Sequence, residues 1–519
     1  MITRHLVRPS EYHDSVTLME TARELTRLPG IADSAVVMAT AANKAILREA
    51  GLLLPAIEVA TANDLVVVVK AEGKDVAAHA LDVAKEHLAR RPESGAGGTA
   101  SLRPRTLRGA VRSVPDANLA VISVAGQYAT AEAWEALRSG LHVLLFSDNV
   151  PVEDEIALKA YAVEHGLLMM GADCGTAIIN GIALGFANVV PPGPVGIVAA
   201  AGTGLQEVST LLAKLGVGIT QGIGTGGRDM KDKVGGVMML QGIRALQDDP
   251  ETQVLVLVSK PPSPDVVGRV MAQVQRCDKP TVVCFLGGDP ASIAEAGAIP
   301  ARTLQEAAYL AAAEVDGYAG PSADEAIERE TTDLRARAVE ARKGLLSGQK
   351  YLRGLFSGGT LASEALFIWY DLVGEVRSNV AVDPRLRLAD ATHSEGHAAV
   401  DLGEDEFTVG RPHPMIDNDL RVRRLLQEAR DPSVAVIVLD VVLGHGAHRD
   451  PTVELGQAIR EARAQASGEG RELVVIASVT GTEGDPQTLS RQVRVLEEVG
   501  VLVAPCNAAA ARLAGFVVS

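Results

Sequence analysis

The chain is short of aromatic residues, cysteines and basic charge, and each shortage removes a class of function. Phe, Trp and Tyr make up only 3% of the 519 residues, too few for the stacking platforms on which single-stranded nucleic acid is held. Lys and Arg number 49 against 65 Asp and Glu, a net charge of −16. A broad polyanion-binding face is therefore excluded, and any phosphate site has to be local and built largely from backbone donors. The four cysteines, Cys174, Cys277, Cys284 and Cys506, lie far apart without a Cys-x-x-Cys pair. That argues against a disulfide framework or a zinc ribbon and for a reducing cytoplasm. No apolar run approaches about 18–20 residues, and the opening MITRHLVRPSEYHDS lacks the apolar stretch of a signal peptide. The expectation is a soluble, cytoplasmic protein with neither nucleic-acid nor membrane partners.

What abounds is small and aliphatic. Hydrophobic residues reach 47% and glycine 51 positions, a mix suited to close helix–sheet packing in α/β layers. Domains average about 100–200 residues, which allows three or four here. Residues 1–106 read as a small α+β domain, ferredoxin-like in pattern, with helices at 16–27, 41–49 and 75–88, strands at 34–39 and 64–70, and a linker at 90–99. Residues 107–192 alternate strand and helix as a Rossmann-like domain of CoA-binding type, although a Gly-x-Gly-x-x-Gly fingerprint is missing. Residues 193–320 and 351–519 look like two flavodoxin-type copies of one plan, joined by a charged helical linker at 321–350. The fold class is α/β.

Chemistry is expected at the carboxyl ends of parallel strands. In the Rossmann-like part that picks out Asp148, Asn149, Asp173 and Cys174 as substrate contacts. Helix capping for the polar residues and a buried strand end for the cysteine are the plain alternatives. In the third unit, PVGIVAAAGTG places an apolar strand before Gly202, Thr203 and Gly204. A helix starting there would aim free N–H groups and the positive end of its dipole at an anion; an ordinary tight turn has the same spelling. The next strand runs into Gly222-Ile223-Gly224-Thr225-Gly226-Gly227-Arg228. Arg228 suits bidentate binding of a phosphate or carboxylate, or simply a solvated surface. In the fourth unit Gly444, His445, Gly446 and His448 share a loop. His445 is a candidate general acid or oxyanion donor, as is His413 in the 410–417 segment. The two loop histidines lack a third ligand, so no metal is expected.

These segments resemble the succinyl-CoA synthetase superfamily and, in full-length arrangement, the FdrA family of acyl-CoA-synthetase-like proteins. Gly171-Ala172-Asp173-Cys174 stands where the synthetase α subunit ends its CoA-binding domain. Gly193 to Thr203 matches its GKVGIVSRSGT-type strand and turn, and Gly222 to Asp229 its GIGGD-type loop. The fourth unit is similar to the ligase domain of the β subunit, fused onto the α-like part. If the two ligase-like units dock as in the synthetases, the loop of Gly444 to Gly446 faces the Gly202 turn.

Three departures narrow what the resemblance implies. Glu295 occupies the position of the phosphorylated histidine, and no histidine lies between His165 and His393. Ala199 and Ala201 replace the two serines of the SRSGT turn. An ATP-grasp domain and the glycine-rich start of the CoA-binding domain are not recognisable. Some FdrA-family members are subunits of an oxamate carbamoyltransferase of allantoin breakdown. The resemblance therefore implies an enzyme subunit moving a carbamoyl group between carbamoyl phosphate and oxamate without a phosphohistidine. An acyl-CoA synthetase and a non-catalytic scaffold are the alternatives. CoA stays a candidate cofactor, and the expected partners are an acyl or carbamoyl phosphate substrate, other subunits in a hetero-oligomer, and a second copy of the chain.

Overall fold

Leu65–Ala71 reads as an unbroken apolar run because both of its faces are covered. Leu65, Val67 and Val69 enter one cluster with Leu18, Leu25 and Ala80, while Val66 and Val68 enter another with Leu47, Leu52 and Ile57. It is the central strand of an antiparallel three-stranded sheet, flanked by Ile2–Arg8 and Ile31–Met38, with helices Ser15–Thr26 and Lys74–Ala89. The computed structural model describes residues 1–11, 13, 15–26, 28–40, 43–44, 47–48, 50–89, 104, 106–408 and 412–519. The predicted linker at 90–99 lies outside them, as do parts of the predicted 41–49 helix. Residues 1–103 with 404–413 form one compact unit, and 104–403 with 414–519 form the other.

The larger unit holds three sheets. Leu119–Ile122, His142–Leu145 and Met169–Met170 pair in parallel in that order, the predicted Rossmann-like part. A seven-stranded sheet runs in the order Ile299–Pro300, Thr281–Phe285, Val254–Ser259, Pro192–Ala200, Ile219–Gly224, Thr176–Ile179 and Ile182–Gly185. Its last two strands form an antiparallel hairpin. The boundary read at 192 therefore differs from the structure, where residues 176–185 already belong to the sheet of the following lobe. The third sheet orders Val376–Ser378, His397–Asp401, Tyr351–Phe356, Val434–Val442, Val474–Thr480 and Leu502–Ala504, all parallel. Its first two strands are short and broken by polar residues, so the hydrophobic pattern did not announce them.

Small residues let the two lobes share one core. Ile197, Leu205, Val208, Leu304 and Ala308 of the first lobe cluster with Leu361, Ala365, Trp369 and Ala508–Ala511 of the second. The helices Gly202–Lys214, Leu304–Ala313, Gly359–Val373 and Asn507–Val518 lie at that seam. The Asn507–Val518 helix carries alanine at its contact positions, so a neighbour can come close enough for the Trp369 indole N–H to donate to Ala511 O (2.8 Å). The predicted linker is not a free connection: Ala323–Arg342 is a helix with a capping box at Ser322 and Glu325. It packs on the second lobe, with Arg337 donating to Val503 O (3.1 Å) and Arg342 to Val517 O (2.9 Å).

Two buried glutamates fasten the lobes reciprocally. Glu207, on the Gly202–Lys214 helix, accepts from Asn507 N (2.9 Å) and from the Thr480 hydroxyl, both in the second lobe. Glu364, on the Gly359–Val373 helix, accepts from Leu304 N (2.6 Å) in the first lobe and from the Asn507 side-chain amide (2.7 Å). Each carboxylate satisfies the orphan N–H at the start of a helix of the other lobe. Burial first, and Glu207 after it, push the Glu364 carboxyl up to about 7.

A carboxyl with a raised folded value binds its proton more tightly in the folded state. Its contribution to stability is therefore complete below the unfolded value near 4.5 and is lost as pH rises through about 7. Wild type should lose stability on the order of 3 kcal/mol relative to Glu364→Gln across that window. Urea melts of both proteins between pH 4.5 and 8 check this; parallel profiles would contradict the assignment.

Candidate functional site

The turn at Gly202 does begin a helix, and a second helix meets it end to end. Neither start has a side-chain cap: Ala201 precedes Gly202–Lys214 and Gly358 precedes Gly359–Val373. A Cβ added at Gly204 would lie 2.9 Å from the Thr360 methyl, and one at Gly358 would lie 2.8 Å from the Thr203 methyl. The contacts are thus reciprocal, Gly204 with Thr360 and Gly358 with Thr203. Thr203 and Thr360 are buried, whereas Gly202 and Gly359 keep partial exposure. Each helix contributes about half a positive charge at its N-terminus, and two such ends converge on one place.

Charged side chains stand at the same place. A Cβ at Gly359 would lie 3.2 Å from Lys260 Nζ and would clash with an Asp401 carboxylate oxygen. Lys260 follows the Val254–Ser259 strand and Asp401 ends His397–Asp401, so both come from carboxyl ends of strands. Asp440, fully buried at the seventh residue of Val434–Val442, fixes the turn before the second helix. It accepts from Ser357 N (2.8 Å), the Ser357 hydroxyl (3.0 Å) and Gly358 N (2.8 Å), and pairs with Arg421 (3.0 Å). Burial pushes the Arg421 guanidinium below its ordinary value, and the Asp440 carboxylate opposes that shift.

The structure thus brings Gly202, Thr203 and Gly204 to a partner other than the expected one. The turn facing them is Ser357 to Thr360, not the loop of Gly444, His445 and Gly446. That loop is held against the segment before the first lobe: His445 N donates to Ala187 O (2.8 Å), and Gly444 and Gly446 approach Ala187 and Phe186. Gln487 brackets it at Gly444 N (3.1 Å) and Gly444 O (2.9 Å), and Asn188 donates to Leu443 O (3.0 Å). The His445 side chain is exposed. His413 falls in the other compact unit, and Gly410 and Arg411 lie outside the described residues.

The second glycine loop has a packing role. Gly224 and Gly226 are buried with backbone oxygens of Thr176 and Ala172 where a Cβ would stand, and the Cys174 sulfur is 2.6 Å from that point at Gly224. Gly226 also has φ +86°, a conformation that glycine adopts without strain. Thr225 is fully buried and Gly227 half-buried. Cys174 is itself buried, and burial pushes its thiol up to about 12, which removes it from substrate contact and from nucleophilic chemistry.

Arg228 does not point freely at a substrate. It pairs with Glu155 (2.9 Å) and donates to Val150 O (2.9 Å). Glu155 in turn pairs with Lys159 (2.9 Å), and Lys159 with Asp229 (2.8 Å), all three completely buried. Asp229 accepts from Met238 N and Met239 N and so caps the Val237–Asp248 helix. Asp148, Asn149 and Asp173 are exposed at the carboxyl edge of the Rossmann-like sheet. Asn149 and Asp173 have φ +53°, and the Asp148 and Asn149 carbonyls cover Gly126. Two acids at that edge are a poor match for the diphosphate of CoA.

Lys260, Asp401 and Asp440 were not picked out from the sequence, and the Ser357–Thr360 stretch was read as a glycine turn opening the fourth unit but not as the half that faces Gly202. One signal was present: Gly202-Thr203 is followed by Glu207 at the spacing at which Gly359-Thr360 is followed by Glu364. The repeat marks the two helix starts that meet.

Two parallel lobes with facing helix starts define a protein of succinyl-CoA-synthetase type. A CoA-ligase family model matches residues 355–517, and a model described as AllF, heavy metal-associated domain, matches residues 1–104. YahF of Escherichia coli strain K12 is 44% identical over 508 residues, 97% of this chain and 96% of that one. The succinate–CoA ligase [ADP-forming] subunit alpha 2 of Archaeoglobus fulgidus is 31% identical over 159 residues, 30% of this chain and 54% of that subunit. An acetyl-coenzyme A synthetase 1 of Ca. Korarchaeum cryptofilum, solved with phosphate and ADP, aligns over 78% of this chain and 83% of its own at 14% identity and a TM-score of 0.34. The chain belongs to the FdrA family of succinyl-CoA-synthetase-like proteins. Residues 1–104 contain no cysteine, and among the described residues no group of three or more His, Cys, Asp or Glu could hold a metal ion. The described residues of the small domain do not fit a metal site. No described helix is long and apolar enough to cross a membrane.

Breaking the buried ion cluster tests its part in the architecture. Lys159→Met would leave Glu155 and Asp229 buried with less compensation, and should lower the unfolding free energy by about 3–5 kcal/mol. Arg228→Ala, at a side chain 38% exposed, should cost clearly less. Urea melts of both variants decide; equal losses would contradict this division of roles.

Proposed function

We propose that the protein is an acyl-phosphate-handling enzyme subunit that transfers a carbamoyl group between carbamoyl phosphate and oxamate. The observation that carries this reading is the meeting of two uncapped helix starts with Lys260 beside them, in lobes without a histidine at the relay position. In the direction of oxalurate formation, the oxamate nitrogen bonds to the carbamoyl carbon and the carbon–oxygen bond to phosphate breaks. Phosphate leaves with the electron pair, and the nitrogen's proton passes to Asp401 or to water. The N–H groups at 202–204 and 359–361 and the Lys260 ammonium receive charge that grows on the departing phosphate, the kind of preorganised stabilisation that favours a transition state. Thr203 and Thr360 hold the two helix ends at their spacing. Other subunits complete the enzyme.

A second reading, an acid–CoA ligase, is favoured by the CoA-ligase model over 355–517 and by the succinate–CoA ligase relatives. Glu295, exposed at the end of the short Pro290–Glu295 helix, speaks against its phosphohistidine form. The deciding assay is phosphorolysis of oxalurate, measured for this chain alone and with candidate partner subunits. Lys260→Met should lower kcat/KM by about 100-fold, and Thr203→Val should raise KM for phosphate. Formation of acyl-CoA from ATP, acid and CoA, without phosphorolysis, would establish the second reading instead.

A further inference from the structure

A second concentration of positive charge lies at the same carboxyl edge of the seven-stranded sheet, on the face opposite the Gly202 helix, with Lys260 between it and the helix seam. The Gly202 helix packs on the face formed by Ile197 and Ala199, whereas Val198 and Ala200 face Met239, Val266 and Val270 of the helices Val237–Asp248 and Pro264–Val274. On that second side, a cavity of about 410 Å³ is lined by Val152, Arg228, Lys231, Asp232, Lys233, Val234 and Ser263. Lys231 and Lys233 stand there with one acid, Asp232, in a chain whose net charge is −16, while Arg228 is held by Glu155. The loops that build it follow the carboxyl ends of Ile219–Gly224 and Val254–Ser259, the edge at which open parallel sheets hold ligands.

The cations are placed rather than scattered. Arg228 is anchored by Glu155, itself locked by Lys159, and its Nε is buried with no hydrogen-bond partner. Lys231 Nζ donates to Pro261 O (2.7 Å), next in sequence to Lys260. Loss of water around the Lys231 head group, then repulsion from Lys260, lowers its pKa, while Asp232 opposes the shift. Ser263 Oγ accepts from Asp232 N (3.2 Å), tying the loop to the start of Pro264–Val274. Val152 opens the Val152–Glu164 helix, so the positive ends of two helices also border the space. The volume falls within the range of small-molecule pockets and far exceeds a single phosphate ion.

We infer that the cavity beside Lys231 and Lys233 is a second anion site, which takes the phosphate or polyphosphate part of a small phosphorylated molecule. The inference is independent of the group transferred at the helix seam. Its chemistry is shared by a bare polyphosphate and by the phosphates of a nucleotide or of CoA. Both lysines are exposed, so replacing them should leave the fold intact.

Titration calorimetry of the full chain with tripolyphosphate at fixed ionic strength provides the test, with ADP and CoA as competitors. Lys231→Ala/Lys233→Ala should weaken tripolyphosphate binding at least ten-fold, and Lys343→Ala, at an exposed lysine outside both sites, should leave it within two-fold of wild type. Displacement by ADP or CoA assigns the site to a nucleoside phosphate; displacement by neither assigns it to bare polyphosphate. Undiminished binding by the double variant, or binding abolished equally by chloride at matched ionic strength, overturns the proposal.

Discussion

Two helices pointing their N-termini at each other is an arrangement that electrostatics opposes. The ends repel; neither helix has a side-chain cap from its own turn, and the second has carboxylates beside it, Asp440 on the Ser357 and Gly358 N–H groups and Asp401 at Gly359. The shared apolar core supplies the opposing force. Alanine and glycine at the seam bring four helices together, and Glu207 and Glu364 fasten each lobe to a helix of the other. The positive potential is therefore held open by the rest of the molecule. On the proposed reading, an anion bound there would relieve part of that repulsion.

The lobes repeat one plan but do not repeat it evenly around the site. The first turn, Ala200 to Gly202, offers backbone only. The second, Ser357 to Gly359, is held by buried Asp440 and flanked by Asp401.

Much of this was legible in the chain. Apolar strands ending in glycine turns gave the lobes, and Gly202 to Gly204 was read as a helix start for a chemical reason that the geometry supports. What sequence could not supply was the pairing of elements far apart. Gly222 to Gly227 has the spelling of a phosphate loop, yet at Gly224 and Gly226 backbone oxygens of Thr176 and Ala172 stand where side chains would. The Gly444 loop was expected as the facing half on the assumption that the two ligase-like units dock as in the synthetases, while the turn that meets Gly202 is the one at Gly359. Asp401 went unnoticed because its strand is five residues long, HAAVD, with too little periodicity to mark. Arg228 was read as a solvent-facing hand for anions; Glu155, which engages it, is 73 positions away (228 − 155).

The crossed glutamates have a consequence for how the chain can be divided. Each lobe alone would expose an apolar helix layer, strand a carboxylate without its donors and leave a partner helix uncapped. The peptide that joins the lobes adds little to what already binds them. Proteolytic nicking of the segment between Arg342 and Tyr351 would leave two fragments that stay clasped, and genes encoding them separately would have to be expressed together. In this architecture the boundary between one polypeptide and two is a matter of covalent bookkeeping, because each lobe is completed only by the other.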